Sequence, residues 1–158
     1  MLRVDIRDLQ RGLVRTSGQL GAGDPVFEGL DLDLVGPVSV DGQLQATTEG
    51  EYLWRGSLHA VVRGECRRCL AEVLEEVHVE VNAAVFSSDP EAVDDPDFYA
   101  LPPRATSVDV SAVVREELAL TVPSHLLLCR DDCAGLCPRC GADLNAGPCA
   151  CRTSANTV

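Results

Sequence analysis

The chain has 158 residues and a formal net charge of −12, a length that suits one domain with a modest core and a small appendage. Its longest apolar stretch, near residues 118–129, is interrupted by polar residues and proline and is shorter than the roughly 20 residues of a transmembrane helix. The start alternates charged and aliphatic side chains, unlike a signal peptide, so we expect a soluble cytoplasmic protein without membrane contact. Its acidity disfavours extended, non-specific binding to nucleic acid and favours a basic protein partner.

A period of two between apolar and polar residues predicts strands from Val26 to Phe86. Leucine and aspartate alternate over residues 30–34, a longer alternation covers residues 52–63, and valine alternates with polar residues over 77–82. These strands predict an antiparallel, meander-like sheet or partial barrel.

Residues 87–107 are predicted to form a flexible acidic loop. The segment is rich in proline, and the chain has no Lys or Arg between Leu70 and Pro103. Nine acidic residues lie in that interval: Glu72, Glu75, Glu76, Glu80, Asp89, Glu91, Asp94, Asp95 and Asp97. This composition is typical of a solvated connection, although Phe98 and Tyr99 could instead anchor a partner.

From Val108 the period changes to that of a helix. Asp109 or Ser111 could cap its start, and Pro123 should end it nearby. Four aliphatic residues form the apolar stripe: Val110, Val113, Val114 and Leu118. The predicted fold is therefore α+β, with an antiparallel sheet or partial barrel and one principal helix.

We expect the chain to divide into a strand-rich domain over residues 1–128 and a cysteine-rich zinc module over residues 129–158. In a reducing cytosol, its eight cysteines are expected to bind metal rather than form disulfides. The letters CPRCG at residues 137–141 fit a zinc knuckle, because a two-residue gap lets both sulfurs face one ion. The spacing groups Cys137 and Cys140 with Cys149 and Cys151. The other four cysteines would form a second site that joins the helix end to the sheet: Cys66, Cys69, Cys129 and Cys133.

Other arrangements stay open at this point. Cys66 and Cys69 could pair with Cys137 and Cys140, and a single zinc with four free thiols is a further alternative. Structural zinc would compensate for a module that cannot fold by burial alone. In a different class of function, the arginines between Cys66 and Cys69 could lower a thiol pKa and create a redox-regulated zinc-thiolate chaperone or switch.

We expect no enzyme. The three histidines, His59, His78 and His125, are scattered in the sequence, and two of them occupy alternating strand positions that are ordinary surface sites. No phosphate-binding loop, nucleophile motif or His/Glu metal motif is present. Four-thiolate sites also leave zinc no open position for water.

The order of these parts resembles the YceD family. The resemblance is carried by CRRCL at residues 66–70, by the helix ending LALTVP at 118–123, and by the tail CAGLCPRCGADLN at 133–145. It implies a role in the synthesis, processing or stability of large-subunit (23S) ribosomal RNA, and hence in ribosome biogenesis. One or two zinc ions would support that role without performing chemistry.

Two kinds of partner fit such a role. An acidic segment around residues 89–97 could shield a basic ribosomal protein before it meets RNA. A basic spot formed by Arg130, Arg139 and Arg152 could instead contact RNA directly, although nearby aspartates cancel its formal charge. We rank the basic ribosomal protein first among the large-subunit assembly components.

Overall fold

The computed structural model describes residues 2–124 and 127–153 and contains two sheets and one principal helix. The strands are β1 (Arg3–Asp5), β2 (Val14–Leu20), β3 (Val38–Thr48), β4 (Glu51–Glu65), β5 (Glu72–Ser87), β6 (Phe98–Ala100) and β7 (Ser107–Asp109). The helices are α1 (Ile6–Leu9), α2 (Ser111–Thr121) and α3 (Ala150–Thr153). Short 3₁₀ turns occupy Pro25–Phe27, Pro90–Asp94 and Val122–Ser124.

The main sheet has the strand order β2-β3-β4-β5-β6. Strands β2 to β5 pair antiparallel with their neighbours in sequence, whereas β6 is an edge strand parallel to β5. Strands β1 and β7 form a separate antiparallel pair. The predicted α+β class with one principal helix is therefore confirmed, and the parallel edge strand is the departure from a simple meander.

Strand β4 shows why alternation predicts this sheet. Every second residue points into the core, where Trp54 and Leu58 are fully buried, and the residues between them line the outer face. The indole Nε1 of Trp54 donates a hydrogen bond of 2.8 Å to Oγ1 of the buried Thr16 on β2. The indole is thus fully buried while its only polar atom still makes a hydrogen bond.

Helix α2 covers the inner face of the sheet. The Asp109 carboxylate accepts hydrogen bonds from the backbone N–H and the hydroxyl of Ser111 at its start. The helix ends at Thr121, and Pro123 lies in the 3₁₀ turn that follows. The four stripe residues predicted from the sequence are all fully buried: Val110, Val113, Val114 and Leu118. Within the described residues, no helix is both long enough and apolar enough to cross a membrane.

The alternation over residues 30–34 does not form one of the named strands. Leu34 makes an isolated bridge to Val62, and the chain then kinks at Gly36, whose φ is +89°, before β3 begins. The next residue is a proline, which lacks the N–H of a regular ladder. The segment therefore extends the pairing along β4 only as a short, interrupted piece.

The acidic segment contains elements that its composition did not predict. A 3₁₀ turn covers Pro90–Asp94, and the Asp89 carboxylate accepts a hydrogen bond from the backbone N–H of Glu91 at its start. The ring centroid of Tyr99 in β6 lies 5.2 Å from that of Phe86. Tyr99 therefore packs on its own sheet, where its side chain is half-buried.

Substitution of Gly42 tests the packing of the indole. A Cβ at Gly42 would lie 2.6 Å from the carbonyl oxygen of Arg55 and 2.7 Å from Trp54 Nε1. We expect Gly42→Ala to lower the free energy of unfolding by about 1–3 kcal/mol, since an extra methyl in a close-packed site displaces its neighbours. Urea unfolding followed by fluorescence of the single tryptophan measures it. Gly21→Ala is the matched control, because no atom lies within 4 Å of its added Cβ; equal stability of the two variants would contradict this packing.

Candidate metal centres

Four cysteine sulfurs converge at the end of the β4–β5 hairpin, all within 4.8 Å of one another: those of Cys66, Cys69, Cys129 and Cys133. Sγ of Cys66 lies 3.8 Å from Sγ of Cys133, and Sγ of Cys69 lies 3.6 Å from Sγ of Cys129. All four are free thiols, at separations well beyond the roughly 2.0 Å of a disulfide bond. We call this set the hairpin group.

The turn that presents the hairpin group is closed by two backbone hydrogen bonds. The N–H of Leu70 donates to the carbonyl of Cys66 over 2.9 Å, and the N–H of Cys66 donates to the carbonyl of Ala71 over 2.8 Å. Leu70 has a φ of +62°, a conformation that costs a residue with a Cβ about 1–2 kcal/mol. The flanking strands hold the turn in this geometry despite that cost.

The other four cysteines form a second cluster with sulfurs within 4.8 Å of one another: Cys137, Cys140, Cys149 and Cys151. We call this set the tail group. Its turn repeats the hairpin geometry, because Gly141 N–H donates to Cys137 and Cys137 N–H donates to Ala142, both over 2.8 Å. Gly141, with a φ of +73°, occupies the position that Leu70 occupies in the first turn.

The two clusters are the groups that the spacing favoured. In the part of the chain that the structure describes, the rival combination of Cys66 and Cys69 with Cys137 and Cys140 forms no such cluster. The hairpin group also lies where the segment after α2 meets the sheet, because the backbone N–H of Arg67 donates to the carbonyl of Leu127 over 3.0 Å.

Local dipoles and crowding act in opposite directions on these thiols. Backbone N–H groups, that of Cys129 foremost, lower the pKa of Cys66 to about 6, and the N–H of Cys140 lowers the pKa of Cys137 to about 6. The Cys140 sulfur raises the pKa of Cys151 to about 12. The surroundings of each group thus stabilise some of its cysteines as thiolates, whereas four thiolates so close together would repel one another. A cation at the centre of the group would remove that repulsion. Both groups could therefore hold a metal ion.

Asn145, from the loop of the tail group, reaches the hairpin group. Its side-chain Nδ2 donates to Sγ of Cys133 over 3.3 Å, and this contact is the main cause of the lowered pKa of Cys133. Its Oδ1 accepts hydrogen bonds of 2.8 Å from the backbone N–H of Ala134 and from the guanidinium of Arg130. One amide thus fixes both the orientation of a candidate ligand and the backbone beside it.

Backbone contacts join the two groups further. The N–H of Leu136 donates to the carbonyl of Arg68 over 3.1 Å, and the N–H of Leu144 donates to the carbonyl of Gly135 over 2.9 Å. The Arg68 guanidinium in turn donates to the carbonyl of Cys133 over 3.1 Å. The tail loop therefore rests directly on the hairpin turn.

Two features were missed by sequence reasoning. Asn145 was not singled out, although Asp143 and Asn145 between cysteines are residues suited to hydrogen-bonded turns. Two of the histidines that are far apart in the sequence are neighbours in space, since the ring centroids of His59 and His78 are 4.5 Å apart on adjacent strands. His125 lies outside the described residues.

The arginines of the expected basic spot are partly committed to contacts within the protein. The Arg130 guanidinium lies 3.3 Å from the carboxylate of Asp132 and also bonds to Asn145. Arg139 is exposed, and the side chain of Arg152 lies outside the described residues. These contacts weaken the case for direct RNA binding at this spot.

The fold and the paired cysteine groups define a small α+β protein with a cysteine-rich tail that could hold metal. The family described as Large ribosomal RNA subunit accumulation protein YceD matches residues 54–157. The chain belongs to this family, and the matched span contains both cysteine groups but not strands β1 to β3. The role implied by the family name is accumulation of large-subunit ribosomal RNA.

Curated relatives include an uncharacterized protein of Mycobacterium bovis and uncharacterized proteins of two Mycobacterium tuberculosis strains. Each is 31% identical to this chain over 122 residues, which cover 75% of this chain and 53% of the relative. The chain thus spans about half the length of the curated relatives it matches. No solved structure matches it.

Removal of the Asn145 amide tests the link between the two groups. We expect Asn145→Ala to weaken one metal equivalent by about 10–100-fold, the usual cost of losing a hydrogen-bonded partner of a ligand. Competition with a chromophoric chelator, using Co²⁺ as probe, measures each equivalent. Asn82→Ala, on the exposed outer side of β5, is the control. Unchanged affinity in Asn145→Ala would show that the contact with Cys133 does not support binding.

Proposed function

We propose that the hairpin group and the tail group each hold one structural zinc ion. With zinc–sulfur bonds of about 2.3 Å, the edge of a tetrahedron of sulfurs is about 3.8 Å. The sulfur separations of 3.6 and 3.8 Å in the hairpin group fit that edge. Four thiolates fill the coordination sphere, so the ions would stabilise structure rather than activate water.

Metal analysis tests this assignment. Protein purified without chelator should contain about two zinc ions per chain and no reactive thiols, since all eight cysteines would be ligands. Elemental analysis and thiol titration provide the two measurements. Cys66→Ser should lose one ion and Cys137→Ser the other, so each variant controls for the other. Folded, reduced protein without zinc would contradict the proposal.

We further propose that the chain is a non-enzymatic, cytoplasmic ribosome biogenesis factor that supports the synthesis, processing or stability of 23S ribosomal RNA. The observation that carries this proposal is the family match over residues 54–157. The family description names an effect on RNA accumulation and no reaction. A closed four-thiolate coordination of both metals is consistent with a role through binding surfaces.

We propose a basic ribosomal protein as the direct partner. Exposed acidic residues are concentrated around the 3₁₀ turn at Pro90–Asp94, and helix α2 adds Glu116 and Glu117 near Tyr99 of β6. Burial, together with the charge of Glu116, raises the pKa of Glu117. Crowded negative charge of this kind attracts a cationic protein and repels a phosphate backbone.

The ribosomal role is tested by removing the gene in the organism that encodes the chain. We expect the ratio of 23S to 16S ribosomal RNA to fall, because the family role concerns the large-subunit RNA, and to recover when the wild-type chain is restored. Quantitative hybridisation measures the ratio. An unchanged ratio in growing cells would refute the proposed role.

Complementation with charge variants separates the role from the partner. A triple variant of the acidic segment loses three charges through Glu91→Gln, Asp94→Asn and Asp97→Asn. When it replaces the wild-type chain, it should restore the ratio of 23S to 16S ribosomal RNA poorly. The matched control removes three exposed charges elsewhere, through Glu28→Gln, Asp31→Asn and Glu49→Gln. Full rescue by both triple variants would be compatible with the ribosomal role but would show that the acidic segment is not the docking surface.

A further inference from the structure

We propose that His59, Glu76 and His78 form a third metal site, on the outer face of the main sheet, for a divalent cation of borderline softness such as Zn²⁺ or Ni²⁺. The site is independent of the cysteine groups and of the ribosomal role. His59 precedes the hairpin turn at Cys66 by seven residues, which is about 23 Å along a strand at 3.3 Å per residue.

The geometry of the sheet brings the three side chains together. His59 of β4 is paired directly with His78 of β5, and their ring centroids are 4.5 Å apart with an interplanar angle of 36°. Glu76 lies two residues before His78, so the two side chains share one face. The Glu76 carboxylate is 3.9 Å from Nε2 of His78, and one ligand atom from each residue lies within 4.8 Å of the others.

The backbone under the site is rigid while the ligands can still adjust. His59 is half-buried in the middle of an antiparallel ladder, whereas the side chains of Glu76 and His78 are about 70% exposed. Ligand atoms about 2.0–2.1 Å from a zinc ion are about 3.4 Å apart in a tetrahedron. The ligand atoms now lie within 4.8 Å of one another, so binding requires shifts of about 1 Å, a distance within reach of rotations of the exposed Glu76 and His78 side chains.

The donor set defines the class of cation. Two imidazoles and one carboxylate suit Zn²⁺, Ni²⁺ or Cu²⁺ better than Mg²⁺ or Ca²⁺, which prefer oxygen ligands. Three protein ligands leave a tetrahedral ion one open position, unlike the four-thiolate groups. The site can therefore take a water molecule or a donor from a partner as its fourth ligand.

Local charge favours a cation here. Glu80 follows His78 by two residues on the same outer face and adds a second carboxylate. Arg55 and Arg63 lie on the same face of β4, each four residues from His59. Arg63 lies 3.6 Å from the carboxylate of Asp33 and 3.7 Å from that of Glu72. The charge of Arg63 is thus partly neutralised by these two carboxylates, which reduces its repulsion of a cation at the histidine pair.

Calorimetric titration of Zn²⁺ into tag-free protein, with the cysteine groups already loaded, tests the proposal. We expect one further equivalent, and we expect the ring nitrogen signals of His59 and His78 to shift in NMR spectra of the same sample. His59→Ala and His78→Ala should each lower the affinity for this additional zinc ion by more than about 10-fold. The loss should exceed that figure because it is typical of losing a hydrogen-bonded partner of a ligand, whereas these variants lose the ligand itself. The metal content of the cysteine groups reports that each variant is folded.

Glu80→Gln is the matched control for Glu76→Gln, because both remove one charge from the same face of β5. Glu76→Gln should weaken binding of the additional equivalent much more than Glu80→Gln, because it removes a ligand, whereas Glu80→Gln removes only a nearby charge. Absence of the equivalent in the wild-type chain, or its persistence in His59→Ala and His78→Ala, would overturn the site. Equal weakening by the two glutamine substitutions would overturn the assignment of Glu76 as a ligand.

Discussion

The register of the β4–β5 hairpin is the constraint on which most of this structure depends. The two longest strands, Glu51–Glu65 and Glu72–Ser87, pair from Glu65 opposite Glu72 outward. Because side chains alternate between faces, a slip of one residue would move the core face of a strand to solvent. The cysteine turn between the strands fixes that register locally, and it also contacts the segment after α2 and the tail loop. One short turn therefore orients the core, the helix end and both cysteine groups.

The cysteine groups act as one structural unit because the tail has little apolar surface to bury. Among the described residues, the hydrophobic cluster at the hairpin group consists of the buried Cys66, Val73 and Cys133, with Cys69 and Leu128 partly buried against them. Hydrogen bonds from Asn145 and Arg68 replace packing between the two loops. In such a module, metal-binding free energy contributes directly to folding. Zinc at both groups, as proposed, would make the order of the tail depend on the metal and on the sheet together.

Local patterns in the sequence predicted the parts that depend on local physics. The alternation in β4, the stripe on α2 and the two-residue gap of CPRCG each involve neighbouring residues, and the structure has the corresponding strand, helix and turn. Strand β6 was missed because it is too short to show a periodic pattern, and it pairs with β5 only because the chain after β5 folds back to the edge of the sheet. Asn145 was missed because its partners belong to another loop. The histidine pair follows from the hairpin register alone, since the pairing of Glu65 with Glu72 places residue 59 opposite residue 78.

The potential metal-binding side chains of this chain fall into two sets, one placed to stabilise the fold and one placed where a partner could contact it. The cysteines lie in hydrogen-bonded turns. With the proposed zinc bound, four thiolates would fill the tetrahedral coordination sphere and leave no ligand position for a substrate or partner. The histidine pair and the acidic residues lie on exposed surfaces of the rigid sheet and its edge. A partner can therefore reach carboxylates and imidazoles, whereas a metal held by four thiolates would be closed to it. If zinc fills both groups as proposed, the chain would act in ribosomal RNA accumulation through those surfaces, with the cysteine groups holding them in place.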